Sequence, residues 1–325
     1  MKKTRRTILP PTGGTPLADA LPGSGHAQPG PARELRIVVG FPPDGPLDIV
    51  ARTIAPALER GLGRPVRVEN HVGAGGNDAA RLVVRAAPDG GTVLLCAPLN
   101  AINATLIPDL DFDFGHDILP VAGIARLPIV IEVHPSVPAR SIPGLIDHAR
   151  ANPGRLRVAY AGTGTPQHMA IELFQHLADV RFSLVAYRGS AAALDDLLRG
   201  AADVMFDPAP SSLPHVRAGR LVPLATTGPS RAPVLPELPI VADILAGYEA
   251  GSWFGLGVPR GTSAEAVARL NAAVNAGLRD AGIRQALARL GAEAMPGTAA
   301  EFGRFVAAET ARYAEIIRVA RSLPT

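Results

Sequence analysis

The chain has 325 residues, 47% of them hydrophobic, enough for one large packed domain or two smaller ones, which excludes wholesale disorder. Aromatics make up 4%, too few for a base-stacking surface on single-stranded nucleic acid. The net charge of +3 comes entirely from residues 1–27, where Lys2, Lys3, Arg5 and Arg6 stand against Asp19; beyond them 28 basic residues balance 28 acidic ones and no nucleic-acid footprint remains.

Residues 1–32 read as a leader. Thr4-Arg5-Arg6-Thr7-Ile8-Leu9 is similar to a twin-arginine export signal, and Gly25-His26-Ala27 offers a small-residue cleavage site before Gln28. An apolar segment of about 7–15 residues belongs between them. Pro10, Pro11, Gly13, Gly14, Pro16, Asp19 and Pro22 interrupt it, so an unstructured leader fits the same residues. No later stretch is long and apolar enough to span a bilayer.

From residue 35 onward short β-branched runs alternate with helical patterns. Strands are expected over 35–40, 66–69, 92–96, 118–124, 129–133, 156–161, 182–187, 204–206, 221–226 and 254–258. Several are apolar throughout, as strands covered on both faces are, and the alternation predicts an α/β fold with mostly parallel sheets. Pro56 falls inside the first helix, where it should kink it. Thr262-Ser263-Ala264-Glu265 and Thr298-Ala299-Ala300-Glu301 both fit a capping box, and Phe302, Val306, Tyr313 and Ile317 predict a long docked C-terminal helix.

The pattern breaks at Leu127-Pro128 with 135–138, and again over 247–251. The strand and two helices after the second break are too little for a domain. We therefore expect residues 33–125 plus 250–325 to form one lobe and 126–249 the other, hinged around a cleft by two crossings.

Two strand-to-helix junctions are the candidate site. One is Phe41-Pro42-Pro43-Asp44-Gly45-Pro46-Leu47-Asp48, the other Gly162-Thr163-Gly164-Thr165-Pro166-Gln167-His168. A helix starts with unpartnered N–H groups at the positive end of its dipole, so each junction suits an anion. In the first, the N–H groups of Gly45, Leu47 and Asp48 would face the ligand; the Asp48 side chain either caps the helix or touches ligand. In the second, Thr165 caps, Pro166 takes the first helical position, and Gln167 and His168 follow, His168 as either a surface group or a ligand contact. Arg188, before Gly189 and Ser190, either holds a carboxylate or stays solvated, with Ser190 as an N-cap. Asp207, ending a strand, either accepts a hydrogen bond from a ligand or caps a turn before Pro208.

Gly73-Ala74-Gly75-Gly76-Asn77 fits neither GxGxxG nor the P-loop pattern and reads as a tight loop with Asn77 capping the next helix. Cys96 is the only cysteine, lysine is confined to positions 2 and 3, and the eight histidines show no metal spacing, so no metal and no cofactor is expected. There is no GxSxG or HExxH either. Hydrogen bonds to a charged group contribute about 1.5–3 kcal/mol each. A micromolar complex needs about 8 kcal/mol, so a few such bonds suffice.

At these same residues the chain resembles the Bug-type periplasmic receptors of tripartite tricarboxylate transporters. The likeness runs from about Arg33 to the C-terminus. It rests on Ile37-Val38-Val39-Gly40-Phe41-Pro42-Pro43, Val68-Glu69-Asn70 with Gly73 to Asn77, Ala87-Pro88-Asp89-Gly90, Gly164 to His168, Tyr187 to Ser190, Asp203 to Asp207 and Ser252-Trp253-Phe254-Gly255. The resemblance implies a two-domain fold of the type II periplasmic binding protein, or Venus flytrap, kind, with a ligand cleft between lobes. It implies a non-enzymatic receptor that captures a small organic anion of the carboxylate type in the periplasm and delivers it to a membrane permease, some members serving sensor kinases instead. The loops matching Pro43 to Asp48 and Gly164 to His168 would hold a ligand carboxylate, and the position matching Asp207 would line the cleft. Phe41, Asn100, Gly162, Arg188 and Gly189 complete our expected ligand-binding set. We expect a monomer. Asp44 stands where the family usually has glycine, Leu47 where a small hydroxyl residue is common, and Pro98-Leu99-Asn100 where a Ser/Thr-rich loop is. An enzyme using His168, Asp207 and Arg188 in the same cleft is the competing expectation.

Overall fold

The structure, a computed structural model, describes residues 34–322, so the expected leader lies outside them. Strands and helices alternate from β1 (Leu35–Val39) through α1 (Pro46–Leu62), β2 (Val66–Asn70), α2 (Asn77–Val84), β3 (Thr92–Cys96), α3 (Pro98–Leu106), α4 (Phe114–Asp117) and β4 (Ile118–Leu127). Next come β5 (Ile129–Val133), α5 (Ile142–Ala151), β6 (Arg157–Tyr160), α6 (Pro166–Ala178), β7 (Ser183–Ala186), α7 (Ser190–Leu198), β8 (Val204–Pro208), α8 (Ala209–Arg217) and β9 (Val222–Thr226). The chain closes with β10 (Ser252–Pro259), α9 (Ala264–Arg279), α10 (Ala281–Arg289), β11 (Glu293–Ala294) and α11 (Ala299–Ser322).

These strands form two sheets, a six-stranded one in the order β11-β4-β10-β3-β1-β2 and a five-stranded one in the order β7-β6-β8-β5-β9. Each sheet is covered on both faces and so builds its own lobe. In the first lobe, α1, α9 and α10 bury one face with Val50, Ile54, Leu58, Leu270 and Val274. On the other, α2, α3 and α11 contribute Val83, Ile102, Phe302, Val306, Tyr313 and Ile317. In the second lobe Phe174 of α6 packs with Phe206 and Tyr248 on one side, and α7 and α8 cover the other. Full burial of such side chains stabilises by roughly 1.5–3 kcal/mol each.

The sheets are mixed rather than mostly parallel. Strands β1, β2 and β3 run parallel, as do β6, β7 and β8, while β10 pairs antiparallel with β3 and β4, and β5 antiparallel with β8 and β9. β5 and β10 are each the first strand after a change of sheet, and β11, antiparallel to β4, runs the same way as β10. Alternation of elements along a chain does not reveal the direction in which such a strand enters.

The chain changes sheet at Pro128 and returns just before Ser252, and the crossings lie side by side, since Ser252 pairs with Leu127. A cavity of about 280 Å³ is lined by residues of both crossings, among them Pro128 and Gly251. Beside it Arg312 of α11 binds Glu249 at 3.2 Å and also Glu309, while Trp253 Nε1 donates to Glu309 at 3.1 Å.

Local signals mostly act where they stand. Thr298 and Glu301 form the reciprocal capping box of α11. At α9 the cap is Ser263, one residue after the expected Thr262, whose hydroxyl instead bonds the Pro259 carbonyl. Helix α1 runs unbroken through Pro56.

Candidate functional site

In a sheet of parallel strands the C-terminal ends open onto one edge, where ligand crevices form. In lobe 1 that edge carries the turns after β1, β2 and β3, holding Phe41 to Asp48, His71 to Asn77 and Ala97 to Asn100. In lobe 2 it carries the turns after β6, β7 and β8, holding Gly162 to His168, Tyr187 to Ser190, and Asp207.

Contacts link the two edges. Gly40 and Gly76 approach so closely that a Cβ on Gly40 would lie 2.8 Å from Gly76 Cα, and the Phe41 ring packs over Gly76. Asn103 of α3 donates to the Gly75 carbonyl at 3.1 Å and to Asn77 Oδ1 at 3.2 Å. One turn further along α3, Leu106 touches Gly164 at the second junction. Helix α3 therefore spans from the first lobe's glycine loop to the second lobe's anion loop.

In the first junction Gly45 is the N-cap, Pro46 opens the helix and Asp48 is third. Asp48 is 1% exposed and fully engaged. Its Oδ2 accepts from the Asp44 N–H at 3.0 Å and from Arg52 Nε at 2.8 Å, and its Oδ1 from Asn70 Nδ2 at 2.9 Å. Asn70 Nδ2 also donates to the Phe41 carbonyl at 2.9 Å. Burial alone would raise the Asp48 pKa, but the bonds from Arg52, Asn70 and the Asp44 amide outweigh it and hold the carboxyl below its usual range. Asp48 thus fixes the loop by its side chain. Among the described residues the N–H groups of Gly45, Leu47 and Asp48 have no hydrogen-bond acceptor.

Asp44 sits at φ 64°, left-handed backbone that suits glycine and that Asp tolerates. Its carboxylate is exposed and acts on Arg52, whose pKa it helps to raise. The additional negative charge therefore meets a cation. Pro43 is exposed, and Leu47 is half-buried against the lobe-1 core rather than free in the cleft.

In the second junction Thr165 is the N-cap and accepts the His168 N–H at 3.3 Å, while its hydroxyl donates to the Gly162 carbonyl at 2.7 Å. Gly162 and Gly164 have φ 116° and 77°. The Gly164 N–H donates to His168 Nδ1 at 3.3 Å, so the ring proton resides on Nε2, which faces Glu172 at 3.3 Å. Tyr160 stacks on the His168 ring at 5.0 Å. His168 is thereby a positioning group for the loop. Gln167 differs: it is 7% exposed, and neither its amide group nor its backbone N–H has a partner among the described residues.

Arg188 is exposed and makes no ion pair among the described residues, and Gly189 (φ 111°) is the N-cap of α7. Ser190 is therefore not the cap; it is the first helical residue. Asn100 Oδ1 accepts from the Ala97 N–H at 2.9 Å, which aims its Nδ2 donor. Asn77 does not cap α2 either: Gly76 is the N-cap, and Asn77 Nδ2 is buried without a partner. Asp207 is 0% exposed, its Oδ2 taking the Ser212 hydroxyl at 3.3 Å, and its Oδ1 has no partner.

Asn70, Arg52, Asn103, Tyr160 and Glu172 organise the site; none of them is assigned a site role from the sequence, Asn70 entering only as part of a family motif. Asn70 was findable, as a polar residue at the C-terminal end of a strand. Glu132 was findable too, as a carboxylate inside the apolar strand β5. Among the described residues no group of three or more His, Cys, Asp or Glu could hold a metal ion, and no helix is long and apolar enough to cross a membrane.

A two-lobed α/β chain with helix N-termini on both sides of an inter-lobe cleft is a solute-binding protein of the Venus-flytrap type. Residues 50–321 match the family model described as tripartite tricarboxylate transporter family receptor. The chain is 33% identical over 294 residues to Protein BugT of Bordetella pertussis, covering 89% of each. It is similar in structure to R. palustris Rpa4515 with adipate, at 36% identity and TM-score 0.78 over 90% of this chain and 98% of that one. It is likewise similar to MatC (Rpa3494) from Rhodopseudomonas palustris with bound malate, at 31% identity and TM-score 0.75 over 88% and 99%. The chain belongs to the receptor family of the tripartite tricarboxylate transporters.

Proposed function

We propose that this receptor captures a carboxylate-type metabolite in the periplasm, as a monomer without chemical turnover, and hands it to a membrane permease of the tripartite type. The observation that carries the reading is the pair of helix starts α1 and α6, one on each lobe, joined through α3 and each retaining unbonded donors. One carboxylate would take the N–H groups of Gly45, Leu47 and Asp48. Gln167, Asn100 and the unpaired Arg188 would hold the rest of the ligand, with His168, Asp48 and Thr165 keeping the loops in shape. Bound adipate and malate in similar structures support aliphatic dicarboxylates as the class to try first.

Calorimetric titration with adipate, malate, tricarboxylates, acidic amino acids and aromatic acids tests this. Saturable binding of a carboxylate at one site per chain, recovered chemically unchanged, is the expected result. Absence of binding across the series, or conversion of the bound compound, would reject it. Loss of at least tenfold in affinity in Gln167→Ala is expected from one lost bond to a charged group.

A further inference from the structure

We propose that Glu132 and Asp207 form a coupled acid pair inside lobe 2, Glu132 keeping its proton and Asp207 exchanging one, and that the proton on Asp207 makes anion capture pH-dependent. The second half of the proposal rests on the carboxylate reading above.

Glu132 is the one charged residue in β5, and it is 0% exposed, as is Asp207. In the antiparallel ladder Asp207 lies opposite Val130, two residues from Glu132, so both carboxyls are on the same face and diagonal to each other. That face is covered by α7 and α8. Ser212 of α8 reaches Asp207 Oδ2 at 3.3 Å, whereas Asp207 Oδ1 and both oxygens of Glu132 have no partner. A bare buried carboxylate costs several kcal/mol, and two neighbours cannot both ionise cheaply.

Among the described residues no cation pairs with either carboxyl. On β6 and β8 the facing charges among the described residues are Arg157 and Asp203, paired with each other at the far end of the strands. On α7, Asp196 is engaged by Tyr187 and Arg199, while Asp195 acts on His215. His215 of α8 feels Arg220 and Asp195, and β9 contributes Thr226, whose hydroxyl has no partner. The remaining countercharge is a proton. It also supplies the donor this cluster lacks, because a protonated Glu132 can donate while Ser212 donates onward to Asp207. Consistently, burial and then the Asp207 charge push the Glu132 carboxyl well above its ordinary range. Burial likewise raises Asp207 to about 7 against the lowering pull of the neighbouring serine hydroxyls.

The link to the site runs through the helix starts beside Asp207, which sits at the end of β8 just before α8 begins. Ser190 opens α7 immediately after Arg188 and Gly189, and Ser211 is in the first turn of α8. An ionised Asp207 places negative charge behind two helix starts that face the cleft and weakens their hold on an anion. By reciprocity a bound anion strengthens the pair's hold on its proton, so capture draws in a fraction of a proton near neutral pH.

The test has two arms. Adipate is titrated calorimetrically from about pH 6 to about pH 8 in buffers of different ionisation enthalpy. Wild type should bind adipate about tenfold more tightly at the acid end, a factor in keeping with the interaction of two charges across a partly buried site. It should also take up protons on binding. Asp207→Asn should remove both effects, and Glu132→Gln, whose amide donates to Asp207, should move the midpoint to lower pH. The same slope in wild type and Asp207→Asn overturns the proposal. In the second arm, infrared difference spectra of the ligand-free protein should show a protonated-carboxyl band that titrates near neutrality and changes in Glu132→Gln. Its absence overturns the acid pair. A titrating band without adipate binding rejects the ligand class and leaves the pair standing.

Discussion

Leu106 of α3 and Gly164 of the α6 junction meet across the lobes: a Cβ on Gly164 would lie 2.7 Å from Leu106 Cδ2, and Gly164 has φ 77°. The second anion loop is thus shaped against a helix of the opposite lobe. Gly164→Ala should keep the fold and weaken carboxylate binding about tenfold, from steric push plus roughly 1–2 kcal/mol of backbone strain. Adding Leu106→Ala removes the clash and should recover part of the affinity in calorimetry. Additive losses in the double mutant would show that the contact does not matter.

Asp48→Ala leaves the Asp44 N–H without its acceptor and the Asn70 amide with only the Phe41 carbonyl, and should lower stability by about 1–3 kcal/mol in urea unfolding. The folded-state pKa of Asp48 is depressed, so its contribution is present above the unfolded-state value and disappears as acidification passes the folded one. The variant should therefore lose less stability than wild type on going to acid. Parallel acid limbs would contradict the bonds described.

His168→Ala frees the Gly164 N–H and removes the stacking on Tyr160. Affinity should drop about tenfold, the scale of one hydrogen bond near a charged group. Thermal stability should change little, because the helix cap rests on Thr165. Unchanged affinity would remove His168 from the site.

Burial pushes the Cys96 thiol far above its ordinary value, and Cys96 is the only cysteine. Native protein should resist a thiol-selective reagent, and denatured protein should react with one equivalent. Fast labelling of folded protein would mean that the lobe-1 core opens readily.

Much of the fold was legible because apolar strand runs and helix punctuation are local properties. The run at 129–133 and the capping box at Thr298 give the right element in the right place. Strand direction after each crossing was not legible, since nothing local to β5 or β10 encodes it. β11 escaped because Glu293–Ala294 is too short to show a period. At the site, the junctions could be read from Pro, Gly and Thr, but their division of labour could not. Whether Asp48 or His168 meets a ligand or serves its own loop depends on Asn70 and Arg52, or on Gly164 and Glu172, whose positions only the folded chain sets. Ser190 and Asn77 look like caps, yet a glycine precedes each and takes that place. The lone acid in β5 was visible, but its nearness to Asp207 needs the ladder register.

The rung between Leu127 and Ser252 has a mechanical consequence. Bending either crossing loads the rung that ties it to the other, so the two strands act as one coupled tether instead of two slack ones.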